Sequence, residues 1–193
     1  MEFEKEITVE VDTSLDDLIN LLETNGFQLK ETYDLNDIYL INKNDKSEDL
    51  LSMLGKCVII RDMIDADKER ITLTYKYKEY NEDKEIINQG KINSEINDID
   101  SMKMLFEKLD FVELLRINDH LLVYANDTDE LAIQNVNNKY IYIEIEDKCN
   151  YIDKHYASID EMKNVIKKYE IPIKENNYFA KKALTILEEK IMN

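Results

Sequence analysis

The amino-terminal residues alternate strictly between polar and apolar side chains, with Lys5 as the one exception. One parity consists of Glu2, Glu4, Glu6, Thr8 and Glu10, and the other contains Phe3, Ile7, Val9 and Val11. A period of two residues is typical of a strand that buries only one face. This segment is therefore predicted to form a half-buried strand whose carboxylates point to the same side.

Residues 139–146 repeat this pattern near the other end of the sequence. Tyr140, Tyr142, Glu144 and Glu146 share one face, and Ile141, Ile143 and Ile145 share the other. If the two strands lie close together, their Glu-x-Glu pairs offer hard oxygen ligands to Mg²⁺ or Mn²⁺. The alternative is an ordinary sheet whose glutamates are solvated while its isoleucines and valines form the core.

The segments between these two strands mix further strands with amphipathic helices. Helices are predicted at about 14–25, 99–109, 158–169 and 176–191, and strands at 28–32, 37–42, 57–62, 71–80, 86–92, 111–117, 120–126 and 131–136. Their order lacks the regular strand–helix alternation of a parallel sheet. It favours an antiparallel α+β fold.

Length and composition favour one domain over residues 1–193. The chain has 44% hydrophobic residues, which is sufficient for an ordinary packed core. It contains one proline and three glycines, and no stretch resembles a flexible linker. We therefore predict no domain boundary.

The charge of the chain excludes several classes of partner. Its formal net charge of −17 repels a phosphate backbone and an anionic membrane surface, so no nucleic-acid or membrane partner is expected. No secretory leader and no run of about 18 apolar residues is present, so a cytoplasmic location is expected. Cys57 and Cys149 lack metal-binding spacing and are predicted to be buried free thiols.

Six short segments occur in the order and spacing of one known family. They are Glu2-Phe3-Glu4-Lys5-Glu6, Asp37-Ile38-Tyr39, Val58-Ile59-Ile60-Arg61, Thr74-Tyr75-Lys76, Tyr142-Ile143-Glu144-Ile145-Glu146 and Asn177-Tyr178-Phe179. Over nearly its whole length the chain resembles the CYTH family of class IV adenylate cyclases and thiamine triphosphatases, the triphosphate tunnel metalloenzymes. The resemblance implies a closed or nearly closed antiparallel β-barrel, the triphosphate tunnel, with flanking helices.

The resemblance also implies a site inside that barrel. Metal would be held by Glu2, Glu4, Glu144 and Glu146 with Mg²⁺ or Mn²⁺ as the cofactor, and phosphate would be bound by Arg61 and Lys76. No catalytic residue is assigned. The chain departs from the family at Glu6, Ile59, Asn118 and His120, where basic residues are expected, and at Gln134, where an acidic one is expected.

The resulting prediction is a divalent-metal-dependent hydrolase of inorganic or organic triphosphates. The depleted basic positions leave an alternative open, a catalytically weakened binding module whose tunnel takes a different and more cationic ligand. An adenylate cyclase comes third, because no nucleobase-binding signature is visible. The oligomeric state and the identity of the triphosphate do not follow from these residues.

Overall fold

The computed structural model describes residues 5–47, 49–66, 69–80 and 86–192, without the side chains of 77–80 and 86–89. Its strands are β1 Glu6–Glu10, β2 Gln28–Asn42, β3 Val58–Ile64, β4 Glu69–Tyr80, β5 Ile86–Glu95, β6 Phe111–Ala125, β7 Glu130–Val136 and β8 Tyr140–Glu146. Its helices are α1 Leu15–Thr24, α2 Leu50–Gly55, α3 Ile99–Lys108, α4 Ile159–Lys168 and α5 Lys182–Met192. The predicted α+β class is confirmed.

The strands form one eight-stranded sheet in the order β1-β8-β7-β6-β2-β3-β4-β5. Every pairing whose register is described is antiparallel, as predicted. Among the described residues β1 and β5 are the two ends of this order, so the sheet is open there. A closed barrel is therefore not confirmed.

Backbone proximity divides the chain into two compact units. In the described part of the chain, unit 1 comprises residues 34–118 and 181–192, and unit 2 comprises residues 5–33 and 119–180. The long strands β2 and β6 each contribute residues to both units. The prediction of one domain stays a prediction, and the two units are described separately below.

Unit 2 buries the apolar face of its strands against two helices. Ile7 and Val9 of β1 and Ile143 and Ile145 of β8 join the buried faces of α1 and α4 in one core. Both helices start at a serine whose hydroxyl accepts a backbone N–H: Ser14 from Asp17, and Ser158 from Glu161. The core therefore fixes which face of β1 and β8 is left for the glutamates.

Unit 1 repeats this arrangement with a smaller core. Ile38 and Leu40 of β2 and Ile60 of β3 are buried, and the partly buried side chains of β4 and α3 pack against them. Asp98 caps α3 by accepting the backbone N–H of Ser101. The opposite face of β3 and β4 is polar, and it carries Arg61 and Thr72.

Two predicted gaps between strands were wrong, and one helix was missed. Segments 28–32 and 37–42 belong to one strand, β2, and segments 111–117 and 120–126 to another, β6. Neither gap holds a glycine or proline, so cross-strand pairing keeps the backbone extended through it. Helix α2 was not predicted; Asp49 caps it by accepting the N–H of Ser52 at 3.2 Å.

The last helix starts later than predicted because the residues before it run along β1. Thr8 donates its N–H to the carbonyl of Tyr178 at 3.2 Å, and Ala180 donates to the carbonyl of Thr8 at 2.8 Å. Asp12 likewise donates to the carbonyl of Pro172. The chain after α4 thus covers the edge of β1 that does not pair with β8.

In the described ranges, no helix is both long and apolar enough to cross a bilayer.

Candidate functional site

The carboxylates of β1 and β8 meet on the sheet face opposite the core of unit 2. In the antiparallel register Glu6 lies directly opposite Glu146, and Thr8 lies opposite Glu144. One carboxylate oxygen each from Glu6, Glu144 and Glu146 lies within 4.8 Å of the other two. These three residues are called the acidic group.

Gln134 of β7 extends the acidic group through a hydrogen bond. Its side-chain amide donates to a carboxylate oxygen of Glu144 at 3.0 Å, and Gln134 itself is buried. A donated hydrogen bond restricts the orientation of the Glu144 carboxylate. Gln134, at a position where the family resemblance implies an acidic residue, is therefore a neutral hydrogen-bond donor to Glu144, a candidate metal ligand.

A cavity of about 90 Å³ in unit 2 adjoins the acidic group. Glu144 and Glu146 line it together with Glu31 and Glu130, and Lys148 is the one basic residue among its lining residues. Glu130 accepts the backbone N–H groups of Asn150 and Tyr151 at 2.8 and 2.7 Å, and Glu31 accepts the Tyr151 hydroxyl at 2.7 Å. The cavity therefore favours a cationic occupant.

The acidic group differs from the metal-ligand set expected from the sequence. Glu144 and Glu146 lie in the acidic group, whereas Glu2 and Glu4 lie outside the described residues. Glu6 takes its place beside them because it shares the parity of Glu2 and Glu4. Three carboxylates with only oxygen donors fit the ligand preference of Mg²⁺, Mn²⁺ or Ca²⁺.

Arg61 lies in unit 1 and is held by a buried carboxylate. Its Nε and one Nη donate to the two oxygens of Asp37, both at 2.7 Å. Asp37 is 2% exposed. Burial alone would raise the pKa of Asp37, but Arg61, with Lys76 and Lys182, holds that pKa below its usual value. The expected phosphate ligand is thus fixed in orientation by an ion pair that the sequence did not reveal.

Lys76 lies two positions beyond a pair of buried threonines on β4. Thr72 and Thr74 are on the same face as Lys76, and their hydroxyls are 3.5 Å apart. Arg61 pairs with Thr72 across β3 and β4. The two predicted phosphate ligands, Arg61 and Lys76, therefore lie on the same face of unit 1.

Three further departures from the family are one buried and two exposed residues. Ile59 is buried, and on β6 Asn118 and His120 are exposed. The Nε2 atom of His120 lies 3.5 Å from the hydroxyl of Thr32. Between them Asp119 is buried and pairs with Val136, which puts it on the same face of the sheet as Gln134.

Asp119 was missed by the sequence analysis. One feature of the sequence could have indicated it: Asp119 is the single charged residue among alternate apolar residues of this strand, which are Leu115, Ile117, Leu121 and Val123. The family resemblance assigns basic positions to 118 and 120, which lie on the exposed face of the strand. The acidic residue of β6 is on the other parity.

Comparison with known proteins shows the fold and no more. No protein-family model and no curated protein matches the sequence. The PH1819 protein from Pyrococcus horikoshii OT3 has a similar structure, with a TM-score of 0.70 at 18% identity over 96% of this chain and 99% of that one. A protein from Vibrio parahaemolyticus described as a candidate adenylate cyclase has a TM-score of 0.64 at 12% identity, over 97% of this chain and 98% of that chain.

A second protein described as a candidate adenylate cyclase, from Bacillus halodurans, has a TM-score of 0.53 at 11% identity. The similarity covers 90% of this chain and 94% of that chain. These similarities are consistent with the CYTH-like fold that the sequence motifs indicated. At such low identity the similarity extends to the fold alone.

Proposed function

We propose that the chain is a divalent-metal-dependent hydrolase of inorganic or organic triphosphates, acting in a tunnel-like barrel of the CYTH type. The observation that carries this proposal is the acidic group on β1 and β8. Like charges directly opposite each other on neighbouring strands destabilise a sheet. Glu6 opposite Glu146 is such a pair, and a bound cation would offset its repulsion.

Each residue set has a distinct part in the proposed reaction. Glu6, Glu144 and Glu146 hold the metal, and the amide of Gln134 orients Glu144. Arg61 and Lys76 bind phosphate oxygens, and Asp37 keeps the guanidinium of Arg61 in place. A bound Mg²⁺ or Mn²⁺ supplies neutralisation and polarisation of the phosphate oxygens. No residue is assigned as a general base.

A catalytically weakened binding module is the second candidate. It is favoured by the cavity in unit 2, whose lining has four glutamates and one lysine. It is also favoured by Ile59, which is buried at a position where the family has a basic residue. In this reading the ligand is a cation and no phosphate is released.

Phosphate release is the first test of the proposal. Purified protein is incubated with tripolyphosphate, thiamine triphosphate or ATP, with Mg²⁺ or Mn²⁺. We expect metal-dependent release, reduced by about 100-fold or more in Glu144→Gln and Glu146→Gln, since each variant removes a charged metal ligand. Glu23→Gln, an exposed position on α1, is the matched control and retains full activity.

Metal binding gives a second readout that does not depend on turnover. Mn²⁺ affinity, measured by calorimetry, falls by about tenfold or more in Glu144→Gln and is unchanged in Glu23→Gln. Metal binding without turnover of any triphosphate would favour the binding module. Formation of cyclic AMP from ATP would instead point to a cyclase, the activity given for two of the similar structures.

A further inference from the structure

Unit 2 has a second cavity, larger and more open than the one that adjoins the acidic group. Its volume is about 360 Å³. It is lined by residues 26, 28 and 30 at the start of β2, by 125–127 in the turn between β6 and β7, and by 151–153 in the loop after β8. We call it the outer pocket, and we call the cavity of about 90 Å³ beside the acidic group the acidic cavity.

Strand β2 and the loop after β8 form the wall between the two cavities. On β2, Lys30 lines the outer pocket and its neighbour Glu31 lines the acidic cavity. In the loop, Tyr151 lines the outer pocket and its neighbour Asn150 lines the acidic cavity. The hydroxyl of Tyr151 donates to a carboxylate oxygen of Glu31 at 2.7 Å. This hydrogen bond therefore closes the wall where the two cavities meet.

The backbone of the loop is anchored more firmly than the side chain of Tyr151. The N–H groups of Asn150 and Tyr151 donate to the two carboxylate oxygens of buried Glu130, at 2.8 and 2.7 Å. Tyr151 itself is 42% exposed. Exposed side chains change rotamer within picoseconds to nanoseconds. Rotation about the Cα–Cβ bond of Tyr151 can thus separate its hydroxyl from Glu31 while the backbone stays in place.

The closing hydrogen bond persists through the neutral pH range. Partial burial, together with the hydrogen bond to Glu31, raises the pKa of Tyr151 to about 12. The phenol therefore remains protonated and can donate. A hydrogen bond to a charged group is strong enough to leave only about one molecule in ten to one in a hundred with the bond broken. The wall is closed for most of the time and opens briefly.

We propose that the side chain of Tyr151 is a gate through which a divalent cation passes from the outer pocket into the acidic cavity. The inference rests on the proposed function, in which the acidic group holds the metal, and it adds the route by which the metal arrives. Carboxylates line both ends of this route: Asp127 and Asp153 in the outer pocket, and Glu144 and Glu146 in the acidic cavity. Such a lining attracts cations and repels anions.

The rate of Mn²⁺ exchange tests the gate. Mn²⁺-loaded protein is mixed with an excess of a chelating dye in a stopped-flow instrument, which gives the dissociation rate constant. Calorimetry gives Kd, and the two values give the association rate constant. The ion of interest is the one whose affinity falls in Glu144→Gln.

We expect Tyr151→Phe to raise both rate constants by about tenfold and to change Kd by less than about twofold, because the gate is open more often while the metal ligands are unchanged. Tyr151→Ala, which also removes the ring, should raise both rates at least as much. Tyr75→Phe is the matched control, since its hydroxyl lies in unit 1, 3.4 Å from the carbonyl of Gly55. It should exchange Mn²⁺ like the wild type. Thermal unfolding of each variant checks that it is folded.

The outcomes separate the gate from the proposed function. Wild-type exchange rates in both Tyr151→Phe and Tyr151→Ala would overturn the inference, even if the protein hydrolyses triphosphates. A tenfold loss of affinity with an unchanged association rate would also overturn it, because Tyr151 would then support a ligand. Faster exchange in a protein that releases no phosphate would support the gate and remove the hydrolase proposal. Undetectable Mn²⁺ binding to the wild type would remove both.

Discussion

The ion pair between Asp37 and Arg61 restricts the orientation of the arginine. Arg61 donates two hydrogen bonds to a carboxylate that is almost completely buried. An isolated arginine on a strand could take many rotamers, whereas a bidentate pair fixes the plane of the guanidinium. Asp37 is therefore a positioning residue for Arg61, the proposed phosphate ligand.

Replacing Asp37 with asparagine should destabilise the fold and misorient Arg61. The amide cannot accept two charge-assisted hydrogen bonds, and Arg61 loses its counter-charge. We expect the free energy of unfolding in urea to fall by about 2–4 kcal/mol, because Arg61 remains partly hydrated. Asp110→Asn is the control, since its pair with Lys43 is exposed on both sides. A cost below about 1 kcal/mol for Asp37→Asn would contradict a structural role for the pair.

The two cysteines, Cys57 and Cys149, have the burial and the free thiols that the sequence indicated. Both are free and buried, so the prediction of buried free thiols is confirmed. Burial raises the pKa of the Cys57 thiol to about 12 and that of Cys149 to about 11. Neither thiol is a nucleophile near neutral pH.

At the scale of elements, strand pairing decides which charges meet. The register of β1 with β8 joins the acidic group, and the register of β4 with β5 joins Lys76 to Lys91. A shift of either register by one residue would send every one of these side chains to the opposite face. The apolar cores behind the strands prevent such a shift, since it would expose isoleucine and valine.

The segment before α5 holds β1 from its other side, and this contact can be tested. Ala180→Pro removes the N–H that donates to the Thr8 carbonyl, and we expect a loss of about 2–3 kcal/mol in unfolding free energy. Ala180→Gly keeps the N–H and should cost about 1 kcal/mol or less. Equal stability of the two variants in urea would mean that the hydrogen bond does not anchor the segment.

A charge cluster around one buried carboxylate links several elements of unit 2. Asp129 follows the turn between β6 and β7 and accepts hydrogen bonds from Lys154 at 2.6 Å, Lys168 at 2.8 Å and the Tyr169 hydroxyl at 2.8 Å. Burial would raise the pKa of Asp129, but the two lysines, Tyr169 and Thr128 lower it well below its usual range. The cluster joins this turn to α4.

For the whole molecule, the depressed pKa of Asp129 makes stability depend on acidity. Its stabilisation is present above the unfolded-state value of about 4 and is lost as pH falls toward the lower folded-state value. We expect Asp129→Asn to cost about 2–4 kcal/mol at pH 7. The difference from wild type should narrow by up to about 1.4 kcal/mol per pH unit below pH 4.

Taking the difference in unfolding free energy between wild type and Asp129→Asn cancels the effect that acid has on the stability of any chain with a net charge of −17. Asp127→Asn, at an exposed position in the same turn, is the matched control for the change of one charge. The measurement is urea unfolding of the three proteins from pH 3 to pH 7. A difference between wild type and Asp129→Asn that stays constant over this range would contradict the cluster.

Several predictions about the whole molecule stay predictions. A triphosphate ligand, Mg²⁺ or Mn²⁺ as the cofactor, the absence of nucleic-acid or membrane partners and a cytoplasmic location are untested. The closed barrel also belongs to the proposal, because the sheet of the described residues is open at β1 and β5. The confirmed part is the antiparallel α+β sheet with its helices.

The sequence alone determined most of the elements and the buried faces of β1 and β8. Alternation in 6–10 and 140–146 is local information, and each strand folds with the predicted face buried. The hydrogen bonds by which Ser14 and Ser158 cap α1 and α4 are equally local, and both helices begin within one residue of the predicted start. The order of the predicted elements was sufficient to indicate the antiparallel α+β class.

The tertiary structure decided which residues meet. Glu6 joins Glu146, Asp37 binds Arg61 from 24 residues away, and Lys91 lies against Lys76 through pairings that no local pattern encodes. Asp119 lies on the buried face of β6, whereas the family resemblance was assigned to its exposed neighbours Asn118 and His120. The physical reason is that periodicity fixes the direction of a side chain, whereas its partner is fixed by register, which depends on the packing of distant segments.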